Sequence, residues 1–525
     1  MNFGGGRGVA TRCPCSGRRV LGVGGVELLG SLPFIRCYRG RAGPPPHTPH
    51  RAMVAVMLLL LLLLALIWGG SARRGGAPWW GVFHLLHPEG PQHLHILTRT
   101  YGDPLCLRLG GREVVVLSSA AAIREALARR WGDFVGRPHS YLASLVSRGG
   151  QDLALGDASP EWRRQRGATR GALARAVRHL EPILELQGWA LCRELSSYGA
   201  APVDLFEAFA FHTCSTICRL AFGDLMPPEA EVRSFTRCVV ELLEVWGRAS
   251  VRALDVLPPL RVLPNPGLRE LLRLVKSRDA FVETQIRWHQ GCASPPADTV
   301  LGALLGGDPT VPMGPLGGDR LHMALVDLFI GGTETTAAAL LWAVAFLLHH
   351  PQVQDRVRAE LRQVLGPTGT PKPGDMGRLP LLRATITETL RLRPTAPLAL
   401  PHCARRHSSI AGMLVPAGSI IIPNLFAAHH DPKVWDRPDE FLPERFLQPG
   451  APWRALLPFG CGARSCVGEA LARAELFVFL GHILQRFRLE PPSDGALPHL
   501  GVTAGTVLRC APFRVRLVPC PPHSS

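Results

Sequence analysis

A chain of 525 residues, 46% of them apolar, can bury a large core, which excludes both a small disulfide-stapled module and a disordered polar chain. Its 14 cysteines are too sparse and too irregular for a secreted disulfide framework and point to reduced thiols facing a cytosolic compartment. The net charge of +17 raises nucleic acid or an anionic membrane as partner, but Lys276, Lys372 and Lys433 are the only lysines and the arginines are dispersed, which argues against nucleic acid.

In chain order, residues 1–52 are rich in Gly, Arg and Pro, carry eight arginines against one glutamate, and read as a disordered basic extension. Residues 52–68 are seventeen uncharged apolar residues with seven consecutive leucines. As a helix they span about 25 Å, near the lower limit for a bilayer core of roughly 30 Å. We read 53–70 as an uncleaved membrane anchor rather than a signal peptide, because Arg73 and Arg74 follow at once and keep the remainder on the cytosolic side. The catalytic domain is then 71–525. Within it, 112–119 is β-branched and short, a strand, and 123–130 a helix. Most of 160–350 has helical period with Pro and Gly breaks, so the fold class is mainly α with a minor β-sheet portion. Residues 292–320 read as an exposed connection.

Several stretches carry chemistry. Trp162 and Arg166 lie one turn apart on a basic helix, and Glu388 and Arg391 stand at i and i+3 on another; by themselves both are ordinary surface features. Residues 321–349 form a long apolar helix interrupted by Gly331-Gly332-Thr333-Glu334-Thr335-Thr336. Two adjacent glycines cost a helix about 1 kcal/mol each, so they mark either a local opening for a ligand or a close helix contact. Glu334 is costly to bury there unless partnered or functional, and with the neighbouring hydroxyl it suggests a proton relay.

The loop Phe459-Gly460-Cys461-Gly462-Ala463-Arg464-Ser465-Cys466-Val467-Gly468 runs into a helix over 469–487. Its glycines permit positive φ or close approach to a flat ligand. Arg464 and the positive end of the following helix favour a thiolate at Cys466. Such a sulfur is a metal ligand or a nucleophile; an inert buried thiol and a disulfide with Cys461 stay open as alternatives.

Phe459-x-x-Gly462-x-Arg464-x-Cys466-x-Gly468 resembles the haem-binding signature of the cytochrome P450 family. The resemblance implies that family's fold with an N-terminal membrane anchor, and haem b held through iron by Cys466, with Phe459 packed near the sulfur. Arg464, Arg137, Arg166 and His402 inherit contacts to the haem propionates. The 331–336 segment is similar to the family's acid–alcohol motif, which makes Glu334 and Thr335 the catalytic relay of an oxygen-activating member. Glu388, Arg391 and Arg445 inherit a buried structural network. Further segments, 131–138, 264–269, 346–351 and 398–402 among them, are similar to steroid-hydroxylating members. In those, an arginine matching Arg278 bonds the steroid 3-ketone, although from its charged neighbours Arg278 reads as solvent-facing. The implied reaction is hydroxylation of progesterone or its 17-hydroxy form at carbon 21. Electrons come from NADPH through a flavoprotein, NADPH–cytochrome P450 reductase, at the endoplasmic reticulum membrane, with Arg163, Arg164, Arg170 and Arg473 as a candidate docking face. The rivals are 17-hydroxylation with lyase activity, a broad-specificity microsomal oxygenase, and a haem-binding or zinc-thiolate membrane protein without oxygenase activity.

Overall fold

Prolines and short polar caps set where the helices begin. In the computed structural model, α1 (Gly90–Tyr101) has Pro91 in its first turn, and α2 (Pro160–Ala176) starts on a proline behind Ser159, whose hydroxyl accepts the Trp162 N–H at 3.0 Å. The described residues run from 87 to 520, except 88, 110–111, 293–297, 307–315 and 502. They lie in the compact unit Leu66–Ser525, and the extension and anchor read at 1–52 and 53–70 fall outside them.

The chain continues through α3 (Leu180–Ser197), α4 (Phe206–Phe222), α5 (Glu229–Gly247), α6 (Ala249–Val256) and α7 (Pro266–Gly291), the last capped by Asn265. Next comes α8 (Gly318–His349), then α9 (Pro351–Leu365), α10 (Pro380–Leu392) and α11 (Glu469–Arg486). Its 32 residues make α8 about 48 Å long. By length and composition α8 could cross a membrane, but 78% of its most apolar window is buried inside the protein. It is the central core helix, with Phe329, Leu340, Trp342 and Leu347 sealed against α4, α5, α7 and α11.

A small mixed sheet flanks this helical body. Its order is β1 (Leu105–Leu109), β2 (Arg112–Leu117), β4 (Ile420–Pro423), β3 (His402–Cys403). β2 runs parallel to β4, with Val114 opposite Ile420, and β3 runs antiparallel to β4, with His402 opposite Ile421. The strand read at 112–119 is thus β2, and its β-branched residues are buried between α1 and the loops that carry the cysteine.

Two local readings change. The helix expected over 123–130 is an α-turn, Ala120–Arg124, that widens into a π-turn, Glu125–Arg129. The connection expected over 292–320 contains a buried helical turn, Val300–Leu304, capped by Thr299, and α8 already begins at Gly318.

Candidate functional site

The cysteine loop is closed by its own backbone, the Cys466 N–H donating to the Phe459 carbonyl at 3.0 Å. Gly460 and Gly462 take φ of 68° and 76°. At Gly462 the glycine is obligatory twice over, because a Cβ would lie 1.7 Å from the Leu127 carbonyl oxygen in the π-turn beneath. That π-turn therefore forms the floor on which the loop is seated.

Cys466 keeps exposed surface, yet enough protein surrounds its sulfur that burial pushes the thiol pKa up. The two observations agree if the sulfur opens onto an interior recess rather than bulk water. The Gly468 N–H and Arg166 pull the pKa down, and Glu469 pushes it up. The expected stabilisation of a thiolate by Arg464 is corrected by this geometry. Arg464 turns away and donates to the carbonyls of Val135, Leu153 and Gly156 at 2.8, 3.1 and 2.8 Å, with its guanidinium 4.1 Å from the Trp162 ring centre. The cation that acts on the sulfur is Arg166, bonded to the Ser465 carbonyl. Cys461 and Cys466 are separate thiols, no histidine is among the groups acting on Cys466, and it joins no metal-binding cluster among the described residues. A disulfide, a His-activated nucleophile and a zinc-thiolate centre therefore find no support here.

Around the loop the structure gathers Arg137, Arg166, Arg464 and His402. Arg137 donates to the carbonyls of Ala154, Leu400 and Pro401 at 2.7, 2.9 and 2.7 Å. Burial lowers the pKa of all three arginines, Arg464 to about 10, with Asp152 and Asp157 as partial counter-charges for Arg137 and Arg464. His402 Nδ1 donates to the Phe134 carbonyl at 2.8 Å, and burial followed by Arg137 pushes its pKa down to about 3. The neutral ring thus offers Nε2 as an acceptor, and a carboxylate partner would have to bring it a proton. The Trp162 N–H is spent on the Leu153 carbonyl at 3.0 Å, so this ring supports Arg464 and Arg166 by stacking. Phe459 is half-buried under Arg473, whose guanidinium lies 4.9 Å from the ring centre and pairs with Glu469.

On α8 the two glycines separate the two reasons for having them. A Cβ on Gly331 would meet nothing within 4 Å, whereas one on Gly332 would lie 2.7 Å from the Ile217 Cδ1 of α4. One glycine keeps a face open; the other admits a close helix contact. The Thr335 hydroxyl donates to the Gly331 carbonyl at 2.5 Å on the open face. Glu334, the next residue back, is buried elsewhere and bonded to Arg509 Nε at 2.5 Å, with its second oxygen unpartnered. Burial raises its pKa and Arg509 opposes that. Acid and alcohol are neighbours in sequence but point about 100° apart around the helix, so they do not touch. Glu334, Arg509 and Glu244 line a separate cavity of about 310 Å³. Arg509 was not singled out from sequence; the signal was a buried glutamate in need of a cation.

Arg278 is 1% exposed, which overturns its solvent-facing reading. Nε donates to Asp279 at 2.8 Å and Nη2 to Asp279 and to the Val146 carbonyl at 2.6 and 2.9 Å. Asp279 also lies against His322 and pairs with Arg148, and although burial opposes it, the contacts with His322 and Arg278 bring its pKa down to about 2. Glu388 and Arg391 are not a surface pair either, both being 0% exposed. Arg391 grips the Glu388 carboxylate through Nε and Nη2, 2.8 Å each, and Arg445 Nε joins at 2.9 Å. A cavity of about 680 Å³, within the usual range for a small-molecule site, reaches from Gly90 and Pro91 past Arg112 to Arg137 and Leu155.

A family model described as Cytochrome P450 matches residues 74–515. The chain belongs to the cytochrome P450 family. Steroid 21-hydroxylase of Felis catus is 47% identical over 462 residues, covering 84% of this chain and 91% of its own. The Homo sapiens steroid 21-hydroxylase is 45% identical over 465 residues, covering 84% and 90%. A solved zebra fish cytochrome P450 with progesterone aligns with a TM-score of 0.74 at 33% identity, covering 82% of this chain and 99% of that one; a second, with abiraterone, gives 0.72 at 34%.

The P450 cofactor is haem iron, and the donor set fits it. One exposed thiol sits in a loop of glycines, and three half-buried arginines are short of carboxylate counter-charge, which two propionates would supply. Each guanidinium already bonds backbone carbonyls, so these arginines are held in place before any cofactor contact is made.

Proposed function

We propose that this P450 is a steroid 21-monooxygenase that converts a 3-keto pregnane, progesterone or its 17-hydroxy form, into the 21-alcohol. The observation that carries the reading is the open Cys466 thiol at the centre of a P450 site, in a chain 45–47% identical to steroid 21-hydroxylases over most of its length. Bound through Cys466, haem supplies dioxygen activation, the thiolate favouring O–O cleavage. The balance is steroid methyl, dioxygen, NADPH and a proton giving hydroxymethyl, water and oxidised nicotinamide.

In this reading the chain's own residues do four things. Cys466 ligates the iron, while Arg137, Arg166, Arg464 and His402 engage the propionates and Phe459 shields the sulfur. Thr335 holds and passes a proton at its hydroxyl. Glu334 is the acid of the relay: paired with Arg509 at the cavity it shares with Glu244, it points away from that hydroxyl and acts on it only through intervening water. Arg278, locked by Asp279, presents its guanidinium to the steroid 3-ketone, and Glu388, Arg391 and Arg445 brace the cysteine loop without touching substrate.

Residues 71–525 act as the catalytic domain on the cytosolic face of the endoplasmic reticulum, anchored by 53–70, with 1–52 as a basic extension. The redox partner is NADPH–cytochrome P450 reductase. Its docking face is built on α2, where Arg163, Arg164 and Arg170 are exposed; Arg473 is committed to Glu469 and contributes less. The test is to incubate the membrane-bound protein with reductase, NADPH and progesterone and locate the new hydroxyl. Carbon 21 supports the reading, and carbon 17 replaces it with the rival hydroxylase. Cys466→Ser that kept haem content, optical spectrum and turnover would remove its foundation.

A further inference from the structure

The turn that leads into α1 gathers three metal-ligating side chains that the haem site does not use, His87, Glu89 and His93. One ligand atom from each lies within 4.8 Å of the other two. His93 Nε2 stands 3.5 Å from Glu89 Oε2, the two residues being one helical turn apart at i and i+4. The His87 and His93 rings face each other with centres 4.5 Å apart and planes tilted by 33°. His87 Nδ1 accepts the Glu89 N–H at 3.1 Å, which turns its lone pair back onto the turn that carries the carboxylate. His87 and Glu89 are exposed and His93 is half-buried, so an ion in solution can reach all three.

A zinc-class cation takes imidazole nitrogen and carboxylate oxygen at about 2.0–2.2 Å in a tetrahedron, which sets its ligand atoms roughly 3.3–3.6 Å apart. The Glu89–His93 pair already has that spacing. His87 has to close by no more than about 1.5 Å, a side-chain rotation for an exposed residue, and the Glu89 N–H it releases passes to water. Two imidazoles and one carboxylate leave the fourth position to a water molecule. The N-terminal end of α1 carries partial positive charge and opposes a cation; the Glu89 carboxylate offsets it, and solvent screens the remainder. Magnesium and calcium prefer oxygen ligands throughout, so this donor set selects against them.

His87 also lines the cavity of about 680 Å³ that runs past Gly90 and Pro91 to Arg137. Being exposed, it stands on a rim where that cavity opens to solvent. We propose that His87, Glu89 and His93 bind one zinc-class divalent cation, and that the bound ion fixes His87 across this rim and slows entry of the steroid. The second half rests on the reading of the cavity as the steroid's route. None of the three residues is among those gathered around Cys466, so the ion acts on entry and not on the reaction.

The experiment is calorimetric titration of zinc chloride into the full-length haem-loaded protein, first dialysed against a chelator, beside His93→Ala and Glu89→Gln. Wild type is expected to take up one equivalent of zinc that His93→Ala lacks, and Glu89→Gln to hold it about ten- to a hundredfold more weakly, the loss metal sites show when a supporting group is removed. Magnesium chloride should give no heat from this site. His93 does not line the cavity, so zinc-free His93→Ala should turn over progesterone as wild type does, which also shows it folded. In stopped flow, one equivalent of zinc should slow the change in haem absorbance on mixing with progesterone in wild type and leave that of His93→Ala as it was. No uptake by wild type, or equal uptake by wild type and both variants, overturns the site; uptake with no change in rate overturns its control of entry. Should His93→Ala fail to fold, Glu89→Gln decides. Zinc uptake that His93→Ala lacks, in a protein that never responds to progesterone, supports the site and counts against the steroid reading.

Discussion

Replacing Glu388 by glutamine removes one negative charge from a site where water cannot compensate. The carboxylate accepts four hydrogen bonds, from Arg391 Nε and Nη2 at 2.8 Å, Arg445 Nε at 2.9 Å and the Leu442 N–H at 3.0 Å. Glutamine keeps one acceptor oxygen but turns an N–H₂ donor towards a guanidinium, leaving two cations, one wholly buried, without a counter-charge. Breaking a buried pair in this way costs about 3–5 kcal/mol, a hundred- to several-thousand-fold in the folded ratio. The damage reaches the site. Arg391 also donates to the carbonyls of His429 and Pro438 at 2.7 Å each, and His429 Nε2 accepts the Leu457 N–H at 2.8 Å, two residues before Phe459. Urea unfolding combined with haem titration should show Glu388→Gln losing stability and haem retention together. A control, Arg356→Gln, breaks the exposed pair with Glu444 and should change stability by less than about 1 kcal/mol. If Glu388→Gln matched that control, the network would not be bracing the cysteine loop.

Gly331→Ala should stabilise α8 by about 1 kcal/mol, since its Cβ meets nothing, yet slow turnover by narrowing the open face beside Thr335; a destabilised variant would contradict this. Gly332→Ala should come out near neutral in thermal melts, the helix gain offset by the 2.7 Å approach to Ile217 Cδ1. His429 is held neutral, its pKa pushed down to about 3 by burial and then by Arg391. Between its ordinary value of 6.5 and about 3 only the unfolded chain binds that proton, so stability falls with acidification over this window. The slope from this group is at most about 1.4 kcal/mol per pH unit, and urea midpoints of His429→Gln at pH 5 and 7 should show it shallower. Arg163→Glu with Arg164→Glu should lower turnover driven by reductase and spare turnover driven by a peroxide; equal loss in both assays would place docking elsewhere.

Much of the site was legible because its parts are short-range. The cysteine loop, the 331–336 interruption and the Glu388–Arg391 pair are each held within one turn or one helix, where neighbours in sequence are neighbours in space. The strand at 112–119 was readable from β-branching for the same reason. Partners of buried charges were not. Glu334 binds Arg509, 175 residues away, and Arg464 spends its donors on carbonyls of the 135–156 region. Arg278 sits among charged neighbours and looked exposed, yet α7 turns it inward against Val146.

What the sequence alone determined is where most helices and the β2 strand lie and which thiol sits in the tight loop proposed to hold the iron, since capping residues, glycines and β-branching act over a few residues. Tertiary structure decided which charges meet and which face of α8 stays open. The physical reason is that solvation and charge pairing depend on everything within a few ångströms, and that neighbourhood is assembled from segments hundreds of residues apart.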